Sequence, residues 1–506
     1  MIVRPTQLNR AALIALVGIV LAVLPFLKGG FYIGKHEGDT LHLAELVLRM
    51  AGGEIPHLDM MTPIGILAIA PLAVFVKAGL GLGHAIFAAQ ALVALVLLLP
   101  ALRSAGSRFQ GWWAHGYAAY IIVLCLALVH GEAERSVSIS MHYNRWAWAV
   151  AYIILPLALI APATAQRRRP LLDGALIGAG MACIALLKVT YFVALAPAVL
   201  LALLARREWA GLVMALLAGL AVAGAVTLYT GTTFWLAYLA DLMTVSQSDI
   251  RPAPGEPLSV VIASPQNMGA SLALVATVIL LRQSGRMVEG MAMLFLMPGL
   301  FYITYQNYGN DPQWLILLAM FAVLLRPEAG LRNGLGWDMR HALGVIALLA
   351  FAFAAPSAIN LVYSPFRHLA TDETDTVPLL PRLAAHDDIR TLAYRIYRVD
   401  QELAQDGPGT PYAAYREIAD RQNVAELNGQ VLPECVFRTG LAAYFELAAD
   451  DLEQAGFGGK AILGTDLYSL YWAFGDFRTV KGSAPWYYGG LSGASNADYL
   501  VVPTCA

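Results

Sequence analysis

Charge is what this chain has least of. Asp, Glu, Lys and Arg together make up 13% of its 506 residues, where a soluble domain carries roughly 25%. Set against 58% hydrophobic residues, that scarcity excludes an ordinary soluble protein and points to a membrane protein with many spans. A net charge of −2 leaves no basic excess for a nucleic-acid partner. Cysteine is also sparse, with four residues and neither a CxxC pair nor a metal-type spacing. Cys125 and Cys183 fall in apolar runs, whereas Cys435 and Cys505 fall in the polar tail. Outside the cytoplasm the latter two would be free to form a disulfide. No internal repeat, heptad seam or low-complexity tract is present, which weighs against a transporter built from repeats.

Apolar runs are what it has in abundance. A bilayer core takes about 20 apolar residues per helix. Eleven stretches qualify: 11–30, 84–102, 112–130, 146–165, 171–187, 189–205, 210–230, 267–282, 287–305, 312–325 and 341–361. The first follows Arg4 and Arg10 in the manner of a signal sequence but lacks a small-residue cleavage site, so it reads as an uncleaved span. Basic clusters at Arg103 and Arg108, Arg167 to Arg169, Arg206 and Arg207, Arg282 and Arg286, and Arg326 to Arg340 then all fall on one side. That side is the cytoplasm, and the tail ends outside. The scheme requires that Thr62–Ala78, bounded by Pro63 and interrupted by Pro71, does not cross and forms an interfacial or re-entrant helix.

Residues 362–506 contain no span. A helix over Pro381–Gln405, a strand at Lys460–Gly464, a helix over Asp466–Phe474 and a strand at Ala497–Val502 predict a small α/β domain. The expected division is a membrane domain, 1–361, with a first outer loop at 31–83, and an extracytoplasmic domain, 362–506.

The first outer loop gathers His36, Glu37, Asp39, Glu54, His57 and Asp59 at a membrane surface, where ionisable groups resist transfer toward hydrocarbon and need a reason to be. Leu41, Leu43, Leu46, Val47 and Met50 recur at helical spacing, predicting an amphipathic helix lying on the membrane. Asp39 suits the cap of that helix. It equally suits a general base taking a proton from a hydroxyl, and Glu37 suits the same task. His36, His57 and Asp59 are candidates to hold a substrate, and Asp59 alternatively a metal. In the second outer loop, Arg145 sits at a helix mouth, where a guanidinium can fork onto phosphate or anchor at the interface beside Trp146 and Trp148. His142, Tyr143 and Asn144 precede it as candidate substrate contacts. Lys188 lies between two apolar runs and either snorkels or meets a phosphate. Arg251, in the loop 231–266, is a weaker phosphate candidate. Tyr305 and Asn307 open a polar, aromatic stretch suited to sugar faces and hydroxyls, or to a plain hairpin.

The order of these parts resembles a known family. A first span, then His36-Glu37-Gly38-Asp39, an amphipathic helix, Gly53-Glu54-Ile55-Pro56-His57-Leu58-Asp59 and Thr62-Pro63-Ile64-Gly65 looks like the polytopic GT-C glycosyltransferases. These include the protein mannosyltransferases and the lipid A aminoarabinose transferases. Tyr143-Asn144-Arg145 resembles a stretch of its bacterial members. The acidic pair departs from the family's Asp-Glu, so the resemblance leaves open which carboxylate is the base. It implies a GT-C-like helical fold and an inverting transfer of sugar from a polyprenyl-phosphate donor. The acceptor would be an envelope glycan, lipid or protein at the periplasmic face of a bacterial inner membrane. Arg145, Lys188 and Arg251 would meet the donor phosphate. Carboxylates with His or Asn also suit a divalent cation, which stays open with no ligand set assigned. Two other readings compete: a lipid or polysaccharide transporter using the same groove, and a non-catalytic assembly partner organised by the tail.

Overall fold

The computed structural model describes residues 5–131, 133–250, 257–307, 312–407, 409–417, 426–432 and 435–503. Among them the chain is mostly helical. It runs α1 (Pro5–Phe26), β1 (Phe31–Ile33), α2 (Glu37–Ala51), α3 (Ile66–Lys77), α4 (Leu82–Arg108), α5 (Gly111–Leu126) and α6 (His142–Leu159). There follow α7 (Pro170–Leu187), α8 (Val189–Ala205), α9 (Trp209–Thr230), α10 (Thr233–Ser246), α11 (Leu258–Ala263), α12 (Pro265–Gln283), α13 (Met287–Gln306), α14 (Trp314–Leu324) and α15 (Met339–Leu369). Every expected span coincides with one of these helices. By length and composition six are able to cross a membrane: α1 from Asn9, α4, α7, α9, α13 and α15. Four shorter helices, α3, α5, α8 and α14, are also apolar. The whole suits a multi-pass membrane protein.

The amphipathic helix α2 begins at Glu37, four residues before the first residue of its apolar pattern, Leu41. Its N-cap is His36, in the left-handed conformation at φ 62°, and Asp39 lies inside the first turn rather than at the cap. The following α3 has 12 residues, about 18 Å of rise, with Pro71 inside it. Its N-terminal approach is close: a Cβ on Gly65 would collide with the Leu186 carbonyl at the end of α7.

Close packing through small residues also joins α7 to α9. Gly174 lies against Gly211, and Gly178 against the backbone of Ala215. Glycines four apart remove side chains from one helix face and let two backbones approach, which favours association where lipid is as apolar as protein. The loop expected at 231–266 contains a further helix, α10. Its buried residues Phe234, Tyr238 and Asp241 recur on one face, a helical period that the surrounding Pro and Ser residues obscure.

The tail folds against the first outer loop. Its elements are β2 (Thr376–Pro378), β3 (Ile389–Leu392), α16 (Ala393–Tyr397), β4 (Val399–Leu403), β5 (Glu426–Leu427), β6 (Gln430–Val431), β7 (Cys435–Thr439), α17 (Leu441–Gln454), β8 (Ile462–Gly464) and β9 (Tyr499–Val501). Strands β8 and β9 occupy two expected strand positions and pair in parallel. The helix expected over Pro381–Gln405 is instead β3, the short α16 and β4, because β3 and β4 find partners elsewhere. Over Asp466–Phe474 only Tyr471–Ala473 forms a 3₁₀ turn. The Cys435–Cys505 pairing lies outside the described side chains.

Loop and tail share one sheet. Strand β1 pairs in parallel with β3, Phe31 opposite Ile389, and β2 pairs antiparallel on the other side of β3. Helix α15 runs through the expected boundary at 361 to Leu369. Asp388, just before β3, accepts from the Gly83 N–H at 3.1 Å, the His84 N–H at 2.8 Å and His84 Nδ1 at 2.7 Å. It thereby caps α4, whose own N-cap, Gly81, has no side chain to do so.

Candidate functional site

Where α2, the start of α6, the α7–α8 junction, α10 and the tail meet, they enclose a cavity of about 560 Å³, within the 300–1,000 Å³ typical of ligand pockets. Asp39 and His42 reach it from α2, Ser140, His142 and Tyr143 from the entrance of α6, and Lys188 from the α7–α8 junction. Leu242, Met243 and Val245 of α10 and Tyr302 of α13 supply a more apolar side. Trp486 and Tyr488 come from the tail.

The acid at this site is held from one side. Ser140 Oγ donates to Asp39 Oδ2 at 2.6 Å. The Ser140 N–H donates in turn to Ser138 Oγ at 3.1 Å, and that hydroxyl lies 3.0 Å from His36 Nδ1. Both serines are buried, so the loop before α6 fixes the carboxylate's rotamer. Burial lowers the His36 pKa, helped by the neighbouring His130. Met141, which lines the cavity, at φ 49° and His36, beside Ser138, at φ 62° adopt left-handed backbone. Such conformations cost about 1–3 kcal/mol each for residues with a side chain and gather at functional sites.

Glu37 points elsewhere. Both its oxygens accept from Arg395 of α16, at 2.9 and 3.1 Å, a bidentate pair of the strong kind. It ties α2 to the tail and does not line the cavity.

Lys188 sits between two helices, serving as C-cap of α7 and N-cap of α8. Its Nζ donates to Asn307 Oδ1 at 2.5 Å and lies 5.4 Å from the Tyr143 ring centroid. Among the described residues it forms no ion pair. The same Asn307 oxygen accepts from Asn144 Nδ2 at 3.2 Å, and Asn307 Nδ2 donates to the Ile303 carbonyl at 2.8 Å. Tyr143, Asn144, Lys188 and Asn307 thus form one linked cluster, the two amides standing behind the lysine. His142 is oriented by the Ala68 carbonyl of α3, 2.9 Å from Nε2.

The other expected residues take structural positions. Arg145, expected on a donor phosphate, has its side chain fully buried and turned to the end of α5, where it donates to the carbonyls of Val129 at 2.5 Å and Ala127 at 3.0 Å. Those carbonyls follow the last helical turn and have no helical partner, which is why the guanidinium is drawn there. His57 Nδ1 lies 2.8 Å from Asp241 Oδ2, which also accepts from the Thr62 N–H at 3.1 Å, so this pair ties the first loop to α10. Asp59 accepts from the Ile55 N–H at 2.9 Å and pairs with Lys481 at 3.0 Å. Burial works against its charge, but those two partners prevail and its pKa is lowered. Tyr305 stacks on Phe301 beside the cavity without lining it, and its neighbours Tyr302 and Gln306 line it instead. Arg251 lies outside the described residues. Among the described residues no group of three or more His, Cys, Asp or Glu is arranged to hold a metal ion.

The sequence reading missed His42, Ser140, Trp486 and Tyr488. His42 follows Asp39 by three residues and so shares its helix face. The run Trp486-Tyr487-Tyr488 is a visible aromatic cluster in a polar tail. Nothing in the sequence marks Ser140.

Compared with models of protein families, with curated proteins and with solved structures, the chain matches none.

Proposed function

We propose that this chain is a membrane glycosyltransferase. It moves a sugar from a polyprenyl-phosphate donor to an envelope glycan, lipid or protein at the periplasmic face of a bacterial inner membrane. The reading takes all eleven apolar helices as crossings, with the arginine clusters in the cytoplasm and the tail outside. One observation carries it: a carboxylate, Asp39, and an amine, Lys188, whose pKa burial lowers to about 7, line the same cavity, the first fixed by Ser140 and the second by Asn307.

In the transfer, Asp39 takes the proton of the acceptor hydroxyl as its oxygen attacks the anomeric carbon from the face opposite the phosphate. The bond from that carbon to the phosphate oxygen breaks, and the lipid phosphate leaves with the electron pair. Inversion follows from the single displacement. Lys188 offsets the charge that grows on the departing oxygen, and a phosphate beside it favours the ammonium form. His142, Tyr143 and Gln306 are placed to meet sugar hydroxyls. Glu37 is set aside as base because Arg395 occupies both its oxygens.

The test is a deletion strain complemented with variants, scored by envelope glycan composition and by accumulated lipid-linked sugar. Asp39→Asn is expected to abolish transfer at normal protein level, and Glu37→Gln to retain it. Full transfer by Asp39→Asn ends the proposal. Movement of a lipid-linked sugar across proteoliposomes without acceptor would favour a transporter.

A further inference from the structure

The cavity is not closed by the membrane helices alone. Part of its wall is Trp486 and Tyr488, from a segment more than a hundred residues past the last apolar helix. That segment is built into the first outer loop. The Gly482 N–H donates to the Asp59 carbonyl at 2.7 Å and the Met61 N–H donates to the Ser483 carbonyl at 3.0 Å, while within the tail the Tyr487 N–H donates to the Leu467 carbonyl at 2.9 Å. Arg49 of α2, almost wholly buried, donates to Ser483 Oγ at 3.0 Å and to the Val480 carbonyl at 3.0 Å. The same guanidinium pairs with Glu54 at 2.6 Å. Trp486 is further braced by the His42 and Tyr468 rings, each with its centroid 5.1 Å away.

A rigid aromatic wall in a cavity that also holds a carboxylate and a cation has a restricted set of ligands. The electron-rich face of an aromatic ring suits the C–H face of a pyranose. The polar groups opposite suit its hydroxyls and its phosphate. We infer that Trp486 and Tyr488 form a pyranose-recognition wall, so that the tail, rather than the membrane helices, selects the sugar carried on the lipid phosphate. This rests on the donor reading above, and it makes Arg49 a positioning residue for the wall.

The experiment uses the full chain in detergent and measures affinity for two kinds of probe. One is undecaprenyl phosphate alone. The other is the same lipid phosphate carrying glucose, galactose, mannose, N-acetylglucosamine or arabinose in pyranose form. Wild type is expected to bind one sugar-bearing lipid about tenfold more tightly than the bare lipid, the size that one good aromatic contact supplies. Trp486→Leu is expected to bring that ratio to about one, with affinity for the bare lipid unchanged, and Tyr488→Leu to lower the ratio in part. Lys188→Met is expected to weaken both probes equally. Tyr488 is only half-buried, so its variant serves where loss of Trp486 disturbs folding. A wild type that binds every probe equally, or leucine variants that keep the full ratio, overturns the wall. Unchanged binding of bare lipid by Lys188→Met overturns the donor reading, and the sugar ratio then decides the wall separately.

Discussion

Asp39 and Glu37 stand two residues apart on α2, and the turn of the helix sends one into the cavity and the other to Arg395. Near Lys188, Asn307 holds the ammonium toward Tyr143. Lys188→Met is expected to lower kcat/KM by about 10²–10³, the usual cost of removing one group that stabilises developing charge. A steady-state assay with saturating acceptor checks it. Arg145 sets the opposite expectation. Without its guanidinium the buried Val129 carbonyl is left unpaired, at about 1–3 kcal/mol, while the Ala127 carbonyl keeps its bond from Gln90 Nε2 at 3.0 Å. Arg145→Met should therefore lower the thermal midpoint in detergent while the folded fraction keeps its donor affinity. Glu45 supplies a pH dependence. Burial pushes its pKa up to about 7, against the opposing pull of Arg49. The folded state then holds a proton that the unfolded chain has lost, so the stability from this group is full below about 4.5 and falls away as pH rises to about 7. Thermal midpoints across that window should slope downward in wild type and flatten in Glu45→Gln.

At the scale of elements, the α7–α9 crossing depends on missing side chains. Gly178 lies so near the backbone of Ala215 that any Cβ must push the helices apart. Gly178→Val is expected to cost about 1–3 kcal/mol as an overpacked contact, read as earlier aggregation on heating, whereas substitution at Gly224, with open space around it, is expected to be silent. Helices were the most legible elements because each bilayer-length apolar run leaves the backbone no partner but itself. The tail was less legible. Pro381–Gln405 carries a helix-like pattern, yet β3 is drawn into a sheet with β1, whose residues lie more than 350 positions earlier. Short strands of this kind are set by partners distant in the chain, which no local period reports.

Across the whole molecule, charge is sorted to two ends. At one end Arg103 and Arg108 both pair with Asp173, Arg167 donates to the Gly106 carbonyl, and Arg206 pairs with Glu289. Asp39, Lys188 and the tail lie at the other, where α7 ends and α6 and α8 begin. A variant with its native cysteines replaced and a single cysteine at Lys35 is expected to label from outside intact cells. One at Arg168 is expected to label only after permeabilisation. The reverse pattern removes the basis for a periplasmic reaction. The shared sheet, the Asp388 cap and the Arg49 contacts also join the tail to the first outer loop and α4 in one fold. A chain ending after α15 is expected to lose activity and to expose residues 31–61 to protease.

The amino-acid order alone determined a helical chain consistent with a multi-pass membrane protein, the places of its long apolar helices, and a polar loop after the first of them, because hydrophobic length and helical period are local properties. Which carboxylate faces the cavity, why Arg145 turns away from it, and that Trp486 belongs to it were decided only by tertiary structure. Those outcomes depend on which groups arrive within about 3 Å of one another, and the chain brings them together from as far apart as Asp39 and Tyr488.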